Sequence, residues 1–135
     1  MMNRYIILLW CWLGLALLPS SLVSQDNIRS LQQVQLLSQD ECVVVQINAD
    51  WNFSANIDLS KLKNCVIFNA SIDNPEFGAA IKDEWNIKSV PTIIMFEYGK
   101  EIQRFEAGLS FKLDKATILK KINNEIDEIQ LRKFQ

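Results

Sequence analysis

The sequence predicts an α/β protein in which a mixed β-sheet of about four strands is flanked by helices. Residues 42–49 and 65–71 are apolar on both faces and rich in β-branched side chains, as is typical of central strands in a sheet covered on both sides. A third apolar strand, 92–96, is followed by a Tyr-Gly-Lys turn and a return strand, 101–106. Isoleucines at helical spacing over 118–129 predict a long last helix.

Further signals place the remaining helices. Ser30 and Gln33 have the spacing of a capping box and predict a helix over 31–38. The segment Asp73-Asn74-Pro75-Glu76 predicts a second helix start, capped by Asp73 and continuing to about Trp85. Asp114 is expected to cap the last helix. Residues 52–64 predict either one or two helical turns or a loop. The crossover between the first two strands favours parallel pairing.

The first 24 residues differ from the rest of the chain. Arg4 precedes an apolar run over 5–18, which is shorter than the roughly 20 residues that a membrane-spanning helix needs. A basic start, a short apolar core and a small-residue exit are typical of a secretory signal peptide. We therefore predict a signal peptide over 1–24 and one exported domain over 25–135, periplasmic or extracellular. The alternative is an uncleaved signal anchor, which would hold the chain at a membrane.

Composition excludes several classes of function. The chain contains no histidine, which excludes a His-based triad, a His general base and every zinc site that contains His. With Cys11 in the predicted signal peptide, Cys42 and Cys65 are too few for an all-cysteine metal site. Neither a metal nor another cofactor is predicted. The net charge is −2 and no Lys/Arg run occurs, which argues against a nucleic-acid partner.

Four pieces of the chain, in order, resemble the thioredoxin family. They are Ala49-Asp50-Trp51 at the end of the first central strand, Ile72-Asp73-Asn74-Pro75 before a helix, Val90-Pro91-Thr92 before a strand, and the hairpin sequence 96–101. The resemblance spans nearly all of 25–135. It implies a thioredoxin-like fold with a cis peptide bond before Pro91.

The resemblance also shows what is missing. In that family a Cys-x-x-Cys motif follows the tryptophan, because a thiolate at a helix N-terminus is activated to attack disulfides. Here the four positions read Asn52-Phe53-Ser54-Ala55. Gln46 stands where many members carry a buried acid, and the stretch 51–73 is about two helical turns shorter. The comparison implies a chain without thiol–disulfide oxidoreductase activity.

Cys42 and Cys65 begin the two central strands and are therefore expected side by side in a parallel sheet. They would then lie at the end of the sheet opposite the family's active site. Two alternatives stay open. One is a structural disulfide, which would stabilise the fold by about 3 kcal/mol. The other is a pair of buried thiols that pack as small apolar side chains.

These observations predict an exported module that binds or scaffolds a protein or peptide. The predicted groove is formed by Trp51, Asn52, Phe53, Val90 and Pro91. An alternative for Trp51 is that it only closes the core. Alternative functions are a divergent thiol–disulfide oxidoreductase and a subunit of a larger exported assembly.

Overall fold

A computed structural model describes residues 26–134, so the predicted signal peptide over 1–24, with Cys11, lies outside the described residues. The strands are β1 (Asp26–Asn27), β2 (Cys42–Asn48), β3 (Cys65–Ser71), β4 (Thr92–Glu97) and β5 (Lys100–Glu106). The α-helices are α1 (Leu31–Leu37), α2 (Gly78–Glu84) and α3 (Lys115–Lys133), and a 3-10 helix covers Asp50–Ala55.

The five strands form one mixed sheet in the order β1-β3-β2-β4-β5. Strands β1, β3 and β2 are parallel, whereas β4 runs antiparallel to β2 and β5 antiparallel to β4. Every residue of β2 is buried, as its apolar sequence predicted. The mixed sheet and the parallel central pair are thus confirmed. The two-residue strand β1 was not predicted, because a strand that short has no periodicity to detect.

Helices cover both faces of the sheet. Val34 of α1 and Ile81 of α2 belong to the apolar cluster on one face. Leu59, from the segment after the 3-10 helix, packs with Ile122 of α3 in the cluster on the other face. The four isoleucines predicted to form the core stripe of α3 are all buried: Ile118, Ile122, Ile126 and Ile129. The segments that follow β2 and β3 therefore leave the sheet towards opposite faces.

The start of α2 differs from the prediction. Asn74, not Asp73, supplies the turn, since its Oδ1 accepts hydrogen bonds from the N–H groups of Glu76 and Phe77. The Asp73 carboxylate instead accepts from the Asp50 N–H, 2.8 Å away. Because its carboxylate bonds across the ends of β2 and β3, Asp73 does not cap α2. Regular helix consequently begins only at Gly78.

The hairpin between β4 and β5 has the predicted tight turn, with Tyr98 and Gly99 both at positive φ (53° and 74°). A shift of register between Met95 and Phe96 changes the alternation along β5. Ile102 and Phe105 therefore pack in the same apolar cluster, although strict alternation would place them on opposite faces.

Asp114 caps α3 as predicted and gives a first testable consequence. Its pKa is lowered, first by the hydrogen bond from the Thr117 hydroxyl and then by the one from the Thr117 N–H. A lowered pKa in the folded chain means that the cap stabilises at neutral pH and that its contribution is lost as the pH falls through that pKa. Asp114→Asn removes this titration. The difference in melting temperature between the two proteins should therefore shrink as the pH falls below about 4, and a constant difference would contradict the assignment.

Candidate functional site

The carboxyl end of β2 carries the segment that corresponds to the active site of thioredoxins. Residues 52–55 lie in the 3-10 helix, whose geometry is interrupted at Asn52 (φ −114°, ψ 16°). The segment holds no sulfur, and no α-helix follows it before β3. Residues 52–55 therefore do not lie at the N-terminus of an α-helix, the position that lowers the pKa of a nucleophilic thiol.

Large apolar side chains project from this end of the molecule. Trp51 is 66% exposed and Phe53 is 68% exposed, so the alternative in which Trp51 only closes the core is wrong. The Trp51 ring meets Phe111 edge to face, with centroids 5.1 Å apart and planes at 85°. We call Trp51, Phe53 and Phe111 the aromatic platform.

Phe111 adopts an unusual backbone conformation. Its φ is 56°, in the left-handed region that bulky residues rarely enter and that costs about 1–3 kcal/mol. The Asn52 Nδ2 donates to the Phe111 carbonyl oxygen at 3.0 Å, and the contact with the Trp51 ring adds about 0.5–1.5 kcal/mol. Two interactions therefore hold Phe111 beside Trp51 against the preference of its own backbone.

Val90 and Pro91, which were also predicted to line the groove, lie directly before β4. Both are buried, so their side chains offer little accessible surface to a ligand. The Val90–Pro91 peptide bond is cis. The Pro91 carbonyl accepts from the Ala107 N–H, at the start of the loop that reaches Trp51 through Phe111. Loop 107–113 thus contacts both Pro91 and Trp51, and Phe111 adds an exposed side chain to those of Trp51 and Phe53.

Sequence reasoning missed Phe111. The available signal was three large apolar residues in the short connection between β5 and α3, a place where polar residues are usual. It became meaningful only when the fold brought that connection against Trp51. Asn52, in contrast, was predicted as a groove residue. Its amide fixes the position of Phe111 rather than lining an open groove.

Asn48, at the end of β2, holds the 3-10 helix in place. Its Nδ2 donates to the Asn52 carbonyl at 2.9 Å and to Asn56 Oδ1 at 2.7 Å. Its Oδ1 accepts from the Ala49 N–H and from Asn52 Nδ2. The side chain is 3% exposed, and four hydrogen bonds satisfy it completely. The platform therefore rests on a rigid amide network.

Gln46 forms a second, deeper anchor. Its Nε2 donates to the Ile57 carbonyl and its Oε1 accepts from the Ile57 N–H, each at 2.8 Å. Gln46 is 1% exposed and Ile57 is 5% exposed, so water cannot replace either bond. A carboxylate at position 46 could accept but not donate. The Gln46 amide therefore holds the shortened segment in place through Ile57, and it cannot accept or release a proton as a carboxyl group could.

The structure joins Cys42 and Cys65 by a disulfide, with Cα atoms 4.6 Å apart. The two residues are direct register partners at the amino ends of β2 and β3, and Cys42 is buried. The aromatic platform lies beyond the carboxyl end of β2. The disulfide therefore links β2 and β3 at the end of the sheet that lies opposite the platform.

Residues 26–134 show neither a metal-binding cluster nor a membrane-spanning helix. No group of three or more His, Cys, Asp or Glu side chains in this part of the chain is placed to hold a metal ion. None of its helices combines the length and apolar character needed to cross a bilayer.

No protein-family model and no curated protein sequence matches this chain. Solved structures do match. The thioredoxin of Malassezia sympodialis gives a TM-score of 0.62 at 18% identity, covering 80% of this chain and 96% of that one. The thioredoxin of Nicotiana alata gives 0.56 at 21% identity, covering 77% and 95%. The thioredoxin of Schistosoma mansoni gives 0.57 at 16% identity, covering 75% and 91%. Since identities this low report on architecture alone, the finding is one of fold: this chain contains a thioredoxin-like domain.

Proposed function

We propose that this chain is an exported, redox-inactive module that binds a protein or peptide segment through the aromatic platform. The observation that carries the proposal is the exposure of Trp51 and Phe53, each about two-thirds open to solvent at the same end of the sheet. Neighbouring exposed aromatic side chains are costly in water and are typical of interaction surfaces. Tryptophan in particular is enriched among the residues that dominate binding energy.

The support beneath the platform favours binding without large rearrangement. Asn48 fixes the 3-10 helix, and Asn52 fixes Phe111 against Trp51. A surface that is ordered before its partner arrives loses less conformational entropy on association. The left-handed Phe111 agrees with this interpretation, because strained residues cluster at functional surfaces.

Redox inactivity is supported by the placement of the sulfur atoms. Positions 52–55 have none, and Cys42 and Cys65 are bonded to each other at the other end of the sheet. A divergent oxidoreductase would need a thiol beside the platform, supplied by another molecule. In an insulin-reduction assay we expect no turnover above the background of the reductant. Turnover that disappears in a Cys42→Ala/Cys65→Ala variant would overturn this part of the proposal.

Selection of peptides from a displayed random library tests the binding surface. We expect the wild-type chain to enrich apolar and aromatic peptides. Trp51→Ala should weaken the selected peptides about thirtyfold, the loss expected for a dominant interface residue. Leu36→Ala is a matched control, since Leu36 is also exposed (63%) but lies on α1.

Two results would contradict the assignment of peptide binding to the platform. One is enrichment of peptides that bind Trp51→Ala as tightly as the wild type. The other is an equal loss of binding in Leu36→Ala, which would indicate nonspecific adhesion. A subunit role in a larger exported assembly would use the shortened stretch 51–73 as its contact surface. It would appear as a defined complex that Trp51→Ala dissociates on size exclusion.

A further inference from the structure

A cavity of about 260 Å³ with mixed polar and apolar walls lies at the carboxyl ends of β1, β2 and β3. Its walls include Asn56, from the segment after β2, and Phe77, from the segment after β3. Those two segments leave the sheet towards opposite faces, as their separate apolar clusters show. In open α/β sheets, the crevice where neighbouring connections diverge in this way is the preferred place for a ligand.

The lining of this cavity has a distinctive chemistry. Five asparagines contribute to it, together with the Ser71 hydroxyl and the rings of Phe53 and Phe77. Asp50 is the only charged residue that lines it, and Ser71 donates a hydrogen bond to its Oδ1. An amide group both donates and accepts hydrogen bonds, as a hydroxyl does. The walls therefore match a neutral ligand that carries several hydroxyl groups.

Several of the amides keep donors available, Asn69 and Asn56 among them. Asn69 Oδ1 accepts a long bond (3.5 Å) from Gln46, and Asn56 Oδ1 accepts from Asn48. Among residues 26–134, neither the Asn69 Nδ2 nor the Asn56 Nδ2 donates to a protein acceptor. Both residues are half-buried, so a ligand in the cavity would meet donors that are already positioned.

Other ligand classes fit less well. An anion such as phosphate would meet the Asp50 carboxylate without any lysine or arginine among the lining residues. The volume lies just below the roughly 300 Å³ at which drug-sized pockets begin, so a single ring suits it better than an extended molecule. Flat aromatic walls can pack against the C–H face of such a ring.

We propose that this cavity binds one pyranose ring of a neutral sugar, either free or at the end of a glycan. Asn69 and Asn56 donate to ring hydroxyls, and Phe53 or Phe77 packs against the ring face. The cavity shares Phe53 with the platform, but Trp51 and Phe111 do not line it. Trp51→Ala therefore tests peptide binding at the platform, and Asn69→Leu tests sugar binding in the cavity.

The test is an NMR titration of the full chain, as exported, with glucose, galactose, mannose and N-acetylglucosamine. We expect saturable shifts of the asparagine side-chain amide signals with at least one sugar, and none with glycerol or sulfate. Asn69→Leu has a similar size and removes the donor, so it should weaken binding about tenfold. Asn27→Leu is a second variant at an exposed lining residue and should also weaken binding. Trp51→Ala should leave the sugar affinity unchanged.

A second arm distinguishes the source of the sugar. A glycoprotein with terminal mannose is compared with the same protein after enzymatic removal of its glycans. Capture that depends on the glycans assigns the site to glycan ends, whereas shifts with free sugars alone assign it to free monosaccharides. The proposal is overturned if no sugar gives a saturable shift, or if Asn69→Leu and Asn27→Leu both bind like the wild type.

Discussion

Replacing Gln46 with leucine is expected to lower the free energy of unfolding by about 2–6 kcal/mol. The substitution leaves the Ile57 N–H and carbonyl without partners, and each buried group left unpaired costs about 1–3 kcal/mol. The loss should appear as a lower midpoint of urea unfolding. Gln32→Leu is the control, because Gln32 is exposed on α1 and a surface change there should stay within about 0.5 kcal/mol.

For Gln46→Glu, the loss of stability is expected to depend on pH. A protonated glutamic acid can donate to the Ile57 carbonyl, whereas a carboxylate there would face that oxygen without a proton. Burial therefore raises the pKa of the new side chain above its usual range. A raised pKa in the folded state means that stability is present at low pH and is lost as the pH rises through that pKa. Wild-type-like stability of both Gln46 variants at pH 7 would show that the bonds to Ile57 do not stabilise the fold.

Removal of the disulfide is expected to have the second large effect on stability. The bond closes a loop with a sequence separation of 23, which corresponds to about 3 kcal/mol of stabilisation in the chain-entropy model. For a domain of this size such a loss lowers the melting temperature by roughly 10–20 °C. Cys42→Ala/Cys65→Ala is preferred over serine because Cys42 is buried and a serine hydroxyl there would need a partner.

Reduction of the wild type provides the matched control for this cross-link. With a thiol reductant, the wild type should melt close to the double variant. The double variant itself should not respond to the reductant. Peptide binding at the platform should persist below the lowered melting temperature, since the bond lies at the other end of the sheet. If the reductant abolishes peptide binding while the protein remains folded, the disulfide and the platform are coupled, which contradicts this prediction.

Features that depend on neighbouring residues could be predicted from the sequence. The apolar run of β2, the tight turn at Tyr98 and Gly99, and the isoleucine stripe of α3 follow from hydrophobic period and local turn chemistry. The loss of the dithiol is also local, because the four positions after Trp51 can be identified from the order of the surrounding pieces.

Where the sequence misled, a distant contact had overridden a local preference. Asp73 fits a helix cap by sequence, yet it bonds to the Asp50 N–H across the strand ends. Ile102 should alternate with Phe105, yet the register shift beside Met95 places both in one cluster. Such effects require coordinates, because register and inter-strand bonds are set by residues far apart in the chain.

The α/β architecture, the absence of sulfur at positions 52–55 and the amide at Gln46 can therefore be read from the order of the residues. The role of each feature depends on contacts between distant parts of the folded chain. In the folded chain, Gln46 forms hydrogen bonds with Ile57, and Phe111 from a distant loop contacts Trp51. Asparagines from three strand ends line one cavity. The reason is physical: hydrophobic period and turn chemistry act between near neighbours, whereas a binding surface forms from side chains that meet only after the sheet has assembled.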